Sequence, residues 1–266
     1  MVAITSTEAL DTKTAEFYRW GMRTLNEAGV PFLVGGAYAF SRYTGIVRHT
    51  KDFDIFVRRE DSERALKVLA DAGCRSEMTF PHWLGKAYSG QDFIDVIFGA
   101  GNGVARVDQL WFDHAVQGEV LGMPALLIPA EEMIWSKALI LERERYDGAD
   151  VAHIFLALGE QMDWNRLISR FAGHWRVLLS HLILFGFIFP RERSRIPSSV
   201  MDLLLSRLRN GGPEDRQDPA RCYGTLISRE QYLPDLERGY TDARLAPTGS
   251  LSPAEIAHWT KAIGTK

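Results

Sequence analysis

Two cysteines in 266 residues, Cys74 and Cys222, exclude a disulfide framework. They lie far apart, neither has a CxxC partner, and both read as buried apolar residues of a reducing compartment. Charge of one sign is also scarce. With 31 Lys and Arg against 34 Asp and Glu, the formal net charge is −3, which gives no global field for nucleic acid but leaves room for a local basic patch. Long apolar runs are lacking: the strongest, "VLLSHLILFGFIF" at 177–189, is too short to span a bilayer as a helix and contains His181. The N-terminal "MVAITSTEALDTKTAEF" has acids and polar residues where a signal peptide needs a basic start and an apolar core. The expectation is a cytoplasmic protein with no membrane partner. No repeat or low-complexity tract is evident, and the seven histidines show no HxxxH or His–Cys grouping, so no zinc site is expected.

What is present divides near residue 129. Residues 12–28 have helical apolar spacing and stop at Gly29. "VPFLV" reads as a short buried strand, "AYAFSRYT" after Gly36 as a short helix, and "DFDIFV" as the next strand. "EDSERALKVLADAG" is an amphipathic helix closed by Gly73, and after a loop "DFIDVIFG" is another strand. "VDQLWFDHAVQGEVLGMPALLIP" holds further short strands or turns. Past Pro124 and Pro129 the β signals end. From Ala130 helical spacing runs through 130–147, 150–159, 163–173, 174–187 and 198–210, and the last thirty or so residues carry no assignable pattern. The predicted class is α+β: a mixed sheet with flanking helices over 1–129, then a mainly helical domain over 130–266.

"DFDIF" poses the chemical question. Alternation along a strand puts Asp52 and Asp54 on one face and Phe53 and Ile55 on the other. Two carboxylates so placed disfavour each other's ionisation, and a hard divalent cation removes that penalty. The plain alternative is an edge strand with an acidic solvent face. Gly35 and Gly36, between a strand and a helix, let backbone approach a ligand and suit phosphate at the helix start; a tight turn explains them equally. Arg48 and Lys51 offer charge for a polyphosphate. A third carboxylate, Asp95, sits in the interior of "FIDVIF", costly there unless it meets a cation or an open cleft. Asp92, at that strand's start, faces the other way.

In order, "VGGAYAF", "RHTKDFDIF" and "FIDVIF" resemble the nucleotidyltransferase superfamily with the DNA-polymerase-β-like fold, over roughly residues 30–100. The R-x-T-K-D-x-D form is most similar to the bacterial stand-alone branch, which includes abortive-infection toxin nucleotidyltransferases and relatives of aminoglycoside and lincosamide nucleotidyltransferases. The resemblance implies Mg²⁺, two ions with Mn²⁺ as a substitute, on Asp52, Asp54 and Asp95. It implies Asp95 as general base, and Gly35 and Gly36 against the triphosphate of an NTP such as ATP. It also implies that Lys137, on the first helix after the catalytic domain, reaches the triphosphate, with Arg143, Asp147 and Asp150 in a supporting stretch. A snorkelling Lys137 and a helix-end charge pair are the structural alternatives.

Elsewhere the helical half offers less. Arg191, Arg193 and Arg195 follow a helix C-terminus, where they favour its dipole or meet an RNA or nucleotide acceptor. Trp135, Trp164 and Trp175 have core spacing. The function expected is metal-dependent transfer of a nucleoside monophosphate from an NTP to a hydroxyl of a small molecule, tRNA or protein, with pyrophosphate release. The helical half would bind the acceptor, and a toxin-like role would add an antitoxin partner. A non-catalytic nucleotide- or partner-binding module stays open. A glycosyltransferase using DxD would need a nucleotide-binding domain ahead of it, and only about fifty residues precede Asp52.

Overall fold

The computed structural model describes residues 11–48, 50, 52–211 and 218–262. It is α+β and divides into two compact units: residues 1–98 with 107–128, and residues 99–106 with 129–266.

In the first unit, helices α1 (Thr12–Glu27), α2 (Gly36–Thr44), α3 (Arg59–Asp71) and α4 (Gln109–Asp113) accompany seven strands. These are β1 (Leu33–Val34), β2 (Asp52–Phe56), β3 (Arg75–Phe80), β4 (Leu84–Ser89), β5 (Asp92–Ile97), β6 (Val116–Val120) and β7 (Met123–Leu127). They form one mixed sheet in the order β3-β4-β5-β2-β1-β7-β6. The β2–β5 and β1–β7 pairs are parallel and the others antiparallel. β2 is therefore an interior strand, and the edge-strand explanation of its two aspartates does not apply.

Alternation decides what each face does. Phe53 and Ile55 lie level with Ile94 and Val96 of β5, and all four are buried. Tyr18 of α1 stacks on Phe53 with ring centroids 4.8 Å apart, and α1 comes so close that a side chain at Gly21 would strike Ile94. α3 packs Leu66 over Gly85 of β4 in the same way. Burying one such large apolar side chain contributes about 1.5–3 kcal/mol, which holds both helices on this side of the sheet. Residues 52, 54, 93 and 95 point to the other side.

The sequence expectation of a loop between α3 and β5 is corrected here: residues 75–89 form β3 and β4. The β4–β5 connection is two residues, with Gly90 at φ +63° in its first position, the left-handed backbone a tight hairpin favours.

The second unit contains α5 (Ala130–Ala138), α6 (Gly148–Leu158), α7 (Trp164–Phe171), α8 (Trp175–Ile188) and α9 (Ser198–Asn210). Trp135, Trp164 and Trp175 are buried in its core. α5 does not run to 147 as its spacing suggests. It stops at Ala138, and Leu141 and Tyr146 close a small antiparallel bridge, with Leu141 N–H donating to Ile227 O at 3.0 Å. Tertiary hydrogen bonds override the helical propensity of "ILERER".

α7 and α8 nearly abut, so residues 164–188 are long and apolar enough to cross a membrane by length and composition, more than the stretch 177–189 implies. The run is broken at Ala172, φ +40°, and Leu178, Leu182 and Phe185 are buried against the unit's other helices. Arg193 donates to Gly186 O at 2.9 Å, satisfying a carbonyl of the last α8 turn, and Arg195 pairs with Glu192 at 2.7 Å.

Beyond α9 the unit contains β8 (Arg221–Cys222) and α10 (Leu233–Glu237), and in the last thirty or so residues, which carry no sequence assignment, β9 (Thr241–Asp242) and α11 (Pro253–Lys261). α11 opens with a capping box, Ser252 with Glu255, that "SPAE" spells out. Asp242 is bound by the fully buried Arg244, which holds its carboxyl below the usual range even though burial itself acts the other way.

Candidate active site on the sheet face

The parallel register of β2 and β5 sets Asp54 beside Asp95 and Asp52 beside Phe93. Asp52 is exposed, while Asp54 and Asp95 are half-buried. A turn by Thr50, whose hydroxyl accepts from Asp52 N–H at 3.1 Å and donates to Asp52 O at 3.0 Å, starts the strand at the first aspartate.

The two glycines are explained by their neighbours. Gly35 N–H donates to Asp54 O at 3.0 Å, tying the β1–α2 turn to β2. A side chain at Gly35 would overlap the Phe56 ring. At Gly36, which has φ +53°, it would overlap the Asp54 carboxylate. The room they leave thus admits protein groups, and it seats Asp54 at the N-terminus of α2. A carboxylate is favoured there by the helix dipole.

Asp95 has a partner that the sequence reading does not include. Lys86 of β4 is its cross-strand neighbour, and Lys86 Nζ lies 2.6 Å from Asp95 Oδ1, with side-chain exposures of 20% and 13%. The ammonium also sits 4.0 Å above the Phe93 ring. Burial pushes the Asp95 carboxyl up from its ordinary range, Lys86 pulls it back, and Asp52 adds to the rise. Recognising the hairpin would reveal Lys86, because a two-residue turn after Ser89 fixes the pairing of 86 with 95.

Other predicted positions fall elsewhere. Asp92 is on the helix-covered face, where it accepts from Thr14 Oγ1 at 2.9 Å. Arg48 is exposed, with its guanidinium 4.5 Å from the Phe40 ring centroid. Lys51 lies outside the described residues. Lys137 belongs to the second unit, where it is held by Asp147 at 2.9 Å and Asp150 at 2.8 Å. Burial opposes ionisation of Asp147, but the Arg145 hydrogen bond and Lys137 outweigh it and lower its pKa. Arg143 makes an exposed contact with Glu144 at 3.6 Å. A groove of about 490 Å³, lined by Asn26, Phe32, Phe112, Pro124 and Leu126 among others, lies apart from all three carboxylates.

Among the described residues no three Asp, Glu, His or Cys side chains converge as a ready-made metal centre. The arrangement still suits a divalent ion of the kind that uses one or two carboxylates and keeps water and phosphate ligands. Asp52 and Asp54 are such a pair on one strand face, and Asp95 is engaged by Lys86.

No protein-family profile matches the chain, and no curated protein sequence matches it. Among solved structures, the antibiotic-resistance factor ANT(2'')-Ia is similar at 17% identity and TM-score 0.45, over 65% of this chain and 98% of its own. A nucleotidyltransferase-like protein from Paracoccidioides brasiliensis is similar at 13% identity and TM-score 0.45, over 73% and 99%. The lincosamide antibiotic adenylyltransferase LnuA is similar at 16% identity and TM-score 0.38, over 54% and 96%.

Proposed function

We propose that this protein is a metal-dependent nucleotidyltransferase. It would move a nucleoside monophosphate from an NTP to an acceptor hydroxyl and release pyrophosphate. The observation that carries this reading is the cluster at the C-terminal side of the Gly35–Gly36 turn. Two carboxylates share one face of β2, and the one seated at the α2 N-terminus, Asp54, lies level with a third, Asp95, on the parallel neighbour β5.

The acceptor oxygen attacks the α-phosphorus as the bond from that phosphorus to the β-phosphate oxygen breaks. Pyrophosphate leaves with the electron pair, and the hydroxyl proton goes to a base. Bound Mg²⁺ or Mn²⁺ would neutralise the triphosphate and the charge that develops on the leaving group. Asp52 and Asp54 would hold the cation. The first N–H groups of α2, which have no partner within the helix, point where phosphate oxygens are favoured. Asp95, its pKa raised by burial, is suited to take the acceptor proton. Gly35 and Gly36 would contribute by letting that turn close on Phe56 and Asp54, and Arg48 and Lys51 would add cationic charge. Lys137 would serve the triphosphate after exchanging its aspartate partners for phosphate.

The helical unit would bind the acceptor, and a cytoplasmic setting fits the NTP donor. Aminoglycosides or lincosamides, a tRNA end and a protein hydroxyl are the acceptor classes to test; an antitoxin partner belongs with the last two. A second reading, a nucleotide-binding module without turnover, is favoured by one observation: Lys86 already occupies the Asp95 carboxylate. Pyrophosphate release from each of the four NTPs with Mg²⁺ or Mn²⁺, offered small-molecule, tRNA and protein acceptors, separates the two. Release that disappears in Asp52→Asn/Asp54→Asn supports the transferase. Metal-dependent NTP binding without release on any acceptor supports the module, and no NTP binding by the folded protein rejects both.

A further inference from the structure

The seven-stranded sheet ends in two unlike edges, β3 and β6. β3 is blunted: its register shifts between Glu77 and Phe80, and Arg75 and Glu77 place charge along it. β6 pairs with β7 without a register shift, contains no proline or lysine, and exposes Gln117 and Glu119. The β6–β7 hairpin fixes which of its backbone groups face outward. Leu121 and Gly122 have φ of 53° and 78°, the two-residue turn that makes Val120 and Met123 a hydrogen-bonded pair. Glu119 opposite Pro124, which has no N–H to give, and Gln117 opposite Leu126 are then non-hydrogen-bonded pairs. The N–H and C=O of Gln117 and Glu119 therefore point away from β7, and among the described residues no further strand pairs with β6 on that side.

We propose that this edge takes a second copy of the chain, β6 against β6, antiparallel about Gly118. The strand reads almost alike in both directions, Val-Gln-Gly-Glu-Val. Centred on Gly118, it sets Gln117 of each copy level with Glu119 of the other, and Val116 level with Val120. Every outward backbone group of Gln117 and Glu119 is then paired, each Gln117 facing a Glu119 with both N–H···O bonds exchanged. The Gln117 side-chain amide also donates to the facing Glu119 carboxylate, and Val116, exposed in the single chain, is covered by Val120. The neighbouring registers lose this match. One sets Glu119 against Glu119, like charges directly opposite; the other carries Glu119 past the end of the facing strand, against Ala115. The contact is short, so the dimer is a weak and reversible one.

Sedimentation velocity of the full chain, over a concentration series up to about 0.5 mM, reads the equilibrium. Wild type is expected to pass from monomer to dimer along the series. Gln117→Glu, which meets Glu119 with a like charge, is expected to raise the dissociation constant about tenfold, and Gln117→Lys to lower it by a similar factor. Gln117→Pro removes an outward N–H but no β6–β7 bond and is expected to leave the chain monomeric, with circular dichroism showing that the fold is kept. Should that variant unfold, the two charge variants carry the test, since Gln117 is exposed. Wild type that stays monomeric throughout overturns the proposal. A dimer indifferent to both charges overturns it too, because it pairs through another surface. A dimer weakened by both charges sets Gln117 against Gln117 and overturns the register about Gly118.

Discussion

Asp54 and Asp95 stand side by side on parallel strands, one at the start of α2 and the other in contact with Lys86. Asp92, three residues before Asp95, is on the opposite face and bound to Thr14. The two β5 aspartates should therefore separate cleanly. Asp95→Asn is expected to lower the transfer rate by about a hundredfold or more, the scale of losing one preorganised electrostatic group. Asp92→Asn should leave the rate nearly unchanged and cost about 0.5–1.5 kcal/mol of stability, one part-buried hydrogen bond. Single-turnover rates and urea midpoints measure both.

Gly36 is the most demanding backbone position of the site. Alanine there meets both a positive φ and the Asp54 carboxylate. Gly36→Ala is expected to destabilise the first unit by about 1–3 kcal/mol and to abolish metal-dependent NTP binding, because Asp54 must move. Calorimetric titration beside a thermal melt checks this; tight NTP binding by a folded Gly36→Ala protein contradicts it.

Glu132 is fully buried in the second unit and held by Arg166 and by Arg170, the latter at 2.9 Å. Removing one member of a buried ion network leaves charge uncompensated. Glu132→Ala should cost about 3–5 kcal/mol, seen as a shifted urea midpoint, whereas removing exposed Glu144 should cost under about 0.5 kcal/mol.

His181 is buried and its Nε2–H donates to Ala138 O at 2.8 Å. Burial lowers its pKa, and the carbonyl partly offsets that. The unfolded chain then binds a proton that the folded chain refuses. The stabilisation is complete above the ordinary histidine value of 6.5 and is lost as pH falls through and below it. Melting temperature should drop between pH 7 and pH 5 more in wild type than in His181→Asn. Equal slopes in the two proteins contradict the assignment.

The sequence alone determined that Asp52 and Asp54 share a face opposite Phe53 and Ile55, because a strand alternates with period two whatever surrounds it. It determined in the same way that Asp92 and Asp95 oppose each other, and local spacing carries both facts. The expected end of β structure at Pro129 did not hold, since β8, β9 and the Leu141–Tyr146 bridge lie beyond it. β3 and β4 were not legible, since "RSEMTFPHWLGKAYS" mixes charge, proline and glycine with few β-branched residues. α5 stops early for a reason equally absent from its own residues, a hydrogen bond from Leu141 to Ile227 some eighty-six positions on. Only the tertiary structure decided that β2 is interior, that β5 is its parallel neighbour, and that Lys86 meets Asp95. Strand order and register are set by non-local packing, and a cross-strand ion pair exists only once they are set.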